Sequence, residues 1–267
     1  MIRLVLIDVD GTLYGPNGVP ECAWAAAQRA VAAGLHLALC TGRPGRGRAL
    51  EYAAKIDPAG LHIFESGAVV LRGSGSHEKV TPLPEESYRR LLGLSREYSV
   101  PFEAYTADGG YYREEDHPDL LAHERMLGYG AVVEPMDALP GIIVRAQFVP
   151  RPGSGWDAVR KAVLGMDEVE LHEATSPGVP GVGFNSVTTA GVSKLEAARW
   201  MAGRFGYGLE NVMMVGDGEN DLELIRAAGL GVAMGNAPAV VQAGADRVVA
   251  DVEGCGLAEA LELAMGS

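Results

Sequence analysis

The chain has 267 residues, 48% of them hydrophobic, and its 22 basic side chains against 35 acidic ones give a net charge of −13. That length and apolar content allow one or two domains with a sizeable buried core. So acidic a composition argues against nucleic acid and anionic membrane as partners, and any anionic substrate must be held by local cations or a metal. No apolar run approaches the ~20 residues of a membrane helix. The apolar start is too short, and too soon followed by acids, to be a leader. The expectation is a soluble, cytoplasmic protein, monomeric or a small homo-oligomer. Cys22, Cys40 and Cys255 are scattered, form no CxxC pair, and signal neither a disulfide framework nor a zinc site.

Residues 3–7, apolar from Leu4 on, are a run of strand length, the pattern of a buried parallel strand, and they lead into Asp8-Val9-Asp10-Gly11-Thr12. An Ala-rich helix follows from Pro20 to Ala33, with Gly34 placed to end it. Residues 35–40 form the next strand, Pro44 opens a helix running to about Ile56, and Leu61–Phe64 is strand again. This β-α-β-α-β order implies a parallel sheet with right-handed crossovers. The C-terminal stretch repeats the rhythm: a helix over Ser193–Phe205, a strand at Val212–Val215, a helix over Asp221–Ala228, short strands at Gly231–Met234 and Arg247–Ala250, and a helix over Leu257–Met265.

The middle of the chain differs. Gly73-Ser74-Gly75-Ser76 and residues 176–181 are the best linker candidates. Between them lie helix-like stretches at Glu85–Tyr98, Pro118–Leu127 and Trp156–Leu164, with strand-like runs at Phe102–Tyr105, Ile142–Val149 and Val169–His172. The fold class is α/β, a Rossmann-like parallel sheet core interrupted by an inserted α+β domain. The core comprises residues 1–78 and 187–267, and the insertion residues 79–186.

Four short segments carry chemistry. Asp8 and Asp10 end a strand two residues apart, so both carboxylates can face one site. One can attack phosphorus while the other gives a proton to the leaving alkoxide. Thr41 and Gly42 end the second strand, where a hydroxyl and backbone N–H groups can cradle phosphate oxygens; a helix cap is the plainer reading of Thr41. Ser193-Lys194-Leu195-Glu196 fits a capping box, which puts Lys194 at the first helical position, against the helix dipole. Asp217 and Asp221, with Asn220 beside them, lie four apart across a helix-opening loop and suit a hard cation such as magnesium.

Together these segments resemble the haloacid dehalogenase-like (HAD) superfamily, and within it the Cof-type (type IIB) phosphatases. Residues 8–12 match the first motif, Thr41 the second, Lys194 the third and residues 216–221 the fourth, and residues 229–237 look like that subfamily's usual sequel. The resemblance implies that Asp8 is a nucleophile forming an aspartyl-phosphate and Asp10 the general acid and base. It implies that Thr41, Gly42 and Lys194 bind the phosphoryl group. Mg2+ would be held by Asp8, the Asp10 carbonyl and Asp217, with Asn220 and Asp221 in support. Thirty residues separate Asp10 from Thr41 and 152 separate Thr41 from Lys194, so the insertion takes the position of a type-two cap. Two departures are Ser66, where relatives carry Asn before Gly-Ala, and Leu195, often glycine in relatives.

The expected activity is magnesium-dependent hydrolysis of a small phosphorylated metabolite, a sugar phosphate in the first instance. A phosphomutase or phosphotransferase using the same aspartyl-phosphate is the alternative enzyme. A phospho-accepting switch is the alternative of another class, disfavoured by the large insertion and by Asp10. In the inserted domain Tyr105, Arg113, His117, Arg145 and Arg151 could reach a substrate, although surface exposure or domain packing is the better reading of each.

Overall fold

The computed structural model describes residues 1–174 and 179–266. In chain order it opens with β1 (Leu4–Ile7), α1 (Glu21–Ala32), β2 (His36–Leu39), α2 (Gly47–Ile56), β3 (Leu61–Phe64), β4 (Val69–Arg72) and β5 (His77–Val80). The middle contributes α3 (Glu85–Tyr98), β6 (Phe102–Thr106), β7 (Tyr111–Arg113), α4 (Pro118–Leu127), β8 (Val132–Val133), β9 (Ile143–Phe148), α5 (Trp156–Leu164), β10 (Val169–His172) and β11 (Asn185–Thr189). The remainder is α6 (Lys194–Arg204), β12 (Val212–Gly216), α7 (Leu222–Ala227), β13 (Leu230–Ala233), α8 (Ala239–Gln242), β14 (Arg247–Val248) and α9 (Gly256–Met265).

The chain divides into two compact units, one of residues 1–42, 49–78 and 193–267, the other of residues 43–48 and 79–192. The first is built on a parallel sheet of order β14-β13-β12-β1-β2. β1 is buried at every position, as its unbroken Leu-Val-Leu-Ile run requires of a strand covered on both faces. One core cluster joins Leu4 and Leu6 to Met214 on the sheet and to Ala198 and Met201 of α6. β3 extends this sheet by only one parallel bridge, Cys40 with Ile63, and otherwise forms a three-stranded sheet with β4 and β5. The imidazole of His62 explains the break. Leu39 N–H donates to His62 Nδ1 at 3.1 Å, so Nε2 carries the proton and donates to the Asp57 carbonyl at 2.9 Å. Burial holds this imidazole's pKa below its usual value.

Three expectations need correction. Pro44 does not open α2: residues 43–46 turn, with Arg46 N–H on the Pro44 carbonyl at 2.8 Å, and the helix begins at left-handed Gly47 (φ 54°). Gly73–Ser76 is no linker but the tight turn between β4 and β5, closed by Gly75 N–H on Arg72 O at 2.8 Å. Of the second linker candidate, residues 176–178 lie outside the described residues. Lastly, Cys22 in the first turn of α1 and Cys255 at the N-cap of α9 are joined by a disulfide across 233 positions. Cys40 is the buried free thiol, its pKa pushed up to about 12 by burial.

The second unit carries a sheet of order β10-β11-β9-β6-β7-β8, antiparallel except between β7 and β8. The period of two along its strands sorts the side chains. Phe102, Ala104, Ala146, Phe148 and Val187 pack with Leu91 and Leu92 of α3 and Val159 and Val163 of α5. Their neighbours Glu103, Tyr105, Arg145, Gln147 and Ser186 occupy the other face and are also buried. Among the described residues no helix is long and apolar enough to cross a membrane.

Candidate active site

The site lies where β1 and β12, paired in parallel, end side by side. The Asp8 amide donates to the Val215 carbonyl at 3.0 Å, continuing the ladder one residue past β1. Gly11 turns the chain with φ 79°, and a Cβ there would lie 2.0 Å from Asp217 Oδ2. Glycine is therefore needed on both counts, backbone conformation and close approach. The approaching group is a carboxylate of the fourth motif.

Lys194 is the first residue of α6, and Ser193 caps that helix by accepting from Glu196 N–H at 3.1 Å. The cap fixes where Lys194 starts, and its buried ammonium donates to Asp8 Oδ1 at 2.7 Å and to Asp221 Oδ1 at 2.6 Å. Asp221, fully buried, spends its other oxygen on Gly218 N–H at 3.0 Å. Asp217 receives the Thr12 hydroxyl on Oδ1 at 3.2 Å and Asn236 Nδ2 on Oδ2 at 3.1 Å.

Charge explains the shifts. Burial pushes the Asp8 carboxyl well up; Lys194 pulls it back, while Asp221 and Asp10 push it further up. Asp217 is pushed up to about 6, by burial first and then by Asp221. Burial opposes the charge on Lys194, but Asp221 and Asp8 outweigh it and hold the ammonium above its usual range. Three carboxylates thus face one cation, an excess of two negative charges. Ligand oxygens of Asp8, Asp217 and Asp221 all lie within 4.8 Å of one another. An oxygen-only donor set with a surplus of two charges fits a divalent hard cation. Asp221, fully buried and tied to the Lys194 ammonium, suits the supporting part, and Asp8 with the half-buried Asp217 the direct one.

The other predicted residues follow β1, β2 and β12 in the chain. Asp10 and Asn220 are exposed on the loops after β1 and β12. Thr41 is buried just beyond β2, its N–H on the Ile63 carbonyl at 3.0 Å and its own carbonyl accepting Ser66 N–H at 3.1 Å. Glu65 and Ser66 are both left-handed, with φ 51° and 56°. Gly67 follows with φ 110° and lies so close to Ser193 that a Cβ would stand 2.3 Å from its carbonyl oxygen. Residues 65–67 therefore join the loop of Thr41 to the cap of the Lys194 helix. Non-glycine residues held in this region of backbone space carry strain of order 1–3 kcal/mol each.

In the second unit, the five singled-out side chains have structural partners. Arg113 is buried against Glu124 and Asp116, Arg151 pairs with Asp119 at 2.6 Å, and His117 caps α4 by accepting from Asp119 N–H at 3.3 Å. Tyr105 donates to Glu103 at 2.9 Å, and the Arg145 guanidinium lies 3.8 Å from the centre of the Tyr105 ring. Glu103 also accepts from Tyr111 and Gln147 and contacts His123 Nδ1; burial pushes its carboxyl up, but these partners, His123 first, outweigh it and hold the carboxyl below the usual range. Sequence reasoning missed Asn236 as part of the site, although it falls inside the recognised stretch of residues 229–237, and gave Thr12 no role of its own.

The sequence profile of the haloacid dehalogenase-like hydrolases matches residues 5–132 and 175–261. YxeH of Bacillus subtilis (strain 168) is 29% identical over 252 residues, 91% of each chain. A second protein of that organism, 5-amino-6-(5-phospho-D-ribitylamino)uracil phosphatase YcsE, is 25% identical over 92% of this chain and 89% of its own. Among solved structures, the HAD subclass IIB sugar phosphatase BT4131 superposes with a TM-score of 0.81 over 98% of both chains at 22% identity. That last likeness is one of fold.

Proposed function

The chain belongs to the haloacid dehalogenase-like hydrolase family, and from that premise we propose that it is a phosphatase hydrolysing a small phosphorylated metabolite, of the sugar-phosphate kind, through a phosphoaspartate on Asp8. The observation that carries this reading is the buried Asp8–Lys194–Asp221 chain with Asp217 beside it, at the ends of two adjacent parallel strands. Open α/β sheets bind ligands at that edge.

In this reading an Asp8 oxygen attacks phosphorus, and the bond to the ester oxygen breaks as Asp10 gives the departing alkoxide a proton. A water molecule then gives its proton to Asp10 and attacks the same phosphorus, releasing phosphate and restoring Asp8. Lys194 partly offsets the effect of burial on Asp8 and offers positive charge to the phosphoryl oxygens. Thr41 and Gly42 bind those oxygens as well. The need for positive charge is quantitative: each pair of unit charges about 4 Å apart repels by ~4 kcal/mol at an effective dielectric near 20. Asp8, the Asp10 carbonyl and Asp217, supported by Asn220 and Asp221, would hold Mg2+, which when bound neutralises charge on the carboxylates and the phosphoryl group.

Relatives whose names state a substrate act on small phosphorylated compounds that include phosphoglycolate and pyridoxal phosphate, and the sugar-phosphate kind is favoured by YcsE, whose named substrate is a phosphoribityl compound. The inserted residues 79–186 are proposed to supply specificity. Phosphate release from a panel of phosphorylated metabolites, with magnesium or with chelator and with Asp8→Asn as control, tests the reading. Magnesium-dependent release from polyol or sugar phosphates, lost in the variant, is expected. Release indifferent to chelation would count against the metal, and silence across the panel against hydrolysis.

A further inference from the structure

Asn236 lies three residues beyond β13, on the surface, and its amide is engaged at both ends. Nδ2 donates to the Gly11 carbonyl at 2.9 Å and to Asp217 Oδ2 at 3.1 Å, while Oδ1 accepts from Val252 N–H at 3.1 Å. Gly11 follows β1, Asp217 follows β12 and Val252 follows β14, and the sheet order is β14-β13-β12-β1. One amide therefore ties together the loops after four neighbouring strands.

The direction of that amide is set by chemistry. A main-chain N–H can only donate, and a carbonyl and a carboxylate accept, so the reversed amide would mismatch every partner. Asp217 is in turn held between two donors, Thr12 on one oxygen and Asn236 on the other. Without such donors, a carboxylate already disfavoured by burial and by Asp221 has little to keep it aimed at the site.

We propose that Asn236 is a positioning residue that aims the Asp217 carboxylate at the divalent cation and so sets the affinity of the site for that ion. This rests on the magnesium reading above. It goes beyond that reading in making an exposed side chain, outside the four motifs, a determinant of metal affinity. Partners that orient a metal ligand are worth about 10–100-fold in affinity when removed.

The test is calorimetric titration of Mg2+ into the metal-free full chain and into Asn236→Ala and Asn236→Leu, with Asp217→Asn as control. Urea unfolding of each without metal runs alongside. Leucine has similar bulk and no hydrogen bond, so it also discourages a replacement water. The expected result is a dissociation constant raised about tenfold or more in both variants, with metal-free urea midpoints close to the parent's. Affinity within about twofold of the parent in both variants, whether or not their midpoints fall, overturns the proposal. Should the parent take up no magnesium, the metal reading fails and this proposal with it. A parent that binds while both variants match it sinks this proposal alone.

Discussion

The Lys194 ammonium meets the Asp8 carboxylate at 2.7 Å, across 186 positions of chain, and both groups are buried. A buried cation between two carboxylates is costly to desolvate and strongly destabilising to break. Sheet order brings it about: β1 and β12 are neighbours, and α6 begins with the lysine itself.

Lys194→Met tests that contact. It leaves Asp8 and Asp221 without their cation, and the expected loss of stability at neutral pH is about 3–5 kcal/mol by urea unfolding. The loss should shrink as pH falls, because protonated carboxyls no longer need the ammonium. Phosphate release should disappear. An unchanged unfolding midpoint at neutral pH would mean the contact carries no weight.

Asp217 gives a pH signature in the metal-free protein. Its carboxyl is raised from the ordinary 3.8 to about 6, so the folded state binds its proton more readily than the unfolded state does. The corresponding stability is therefore present below pH 3.8 and is lost as pH rises through about 6. Comparing metal-free thermal midpoints of the parent and Asp217→Asn across this window isolates the effect. The parent should lose ground to the variant as pH rises, and added magnesium should reverse the trend. Parallel curves would contradict the assigned environment.

The Cys22–Cys255 bridge closes nearly the whole chain into one loop. Removing a link of this kind typically costs about 2–5 kcal/mol. Cys22→Ser with Cys255→Ser should unfold at lower urea concentration than the oxidised parent, and reductant should lower the parent to the same midpoint. Cys40 is not expected to exchange into the bridge, because burial pushes its thiol pKa up to about 12. Equal midpoints in oxidising and reducing buffer would show that the bridge does not stabilise the fold.

Much of this was legible because it is local. The unbroken apolar run of β1, the Ser193 cap and the spacing of residues 216–221 each act within a few residues: β1 is buried throughout, Ser193 caps α6, and Asp217 and Asp221 come close to each other. What escaped was set by distant neighbours. Cys22 and Cys255 meet only because α1 and α9 pack together. Pro44 could open a helix on local grounds, yet the chain turns there and residues 43–48 group with the other unit. Asn236 gains its part in the site from the order of four strands, which no spacing encodes.

The most direct measurement is mass spectrometry of the Asp10→Asn protein after brief exposure to a hydrolysable phosphorylated substrate, with Asp8→Asn/Asp10→Asn alongside. Without Asp10 to activate water, the account predicts a phosphoryl group trapped on Asp8 in the single variant and none in the double variant. Turnover without any phosphorylated protein, or phosphate found on a different residue, would contradict nucleophilic attack by Asp8.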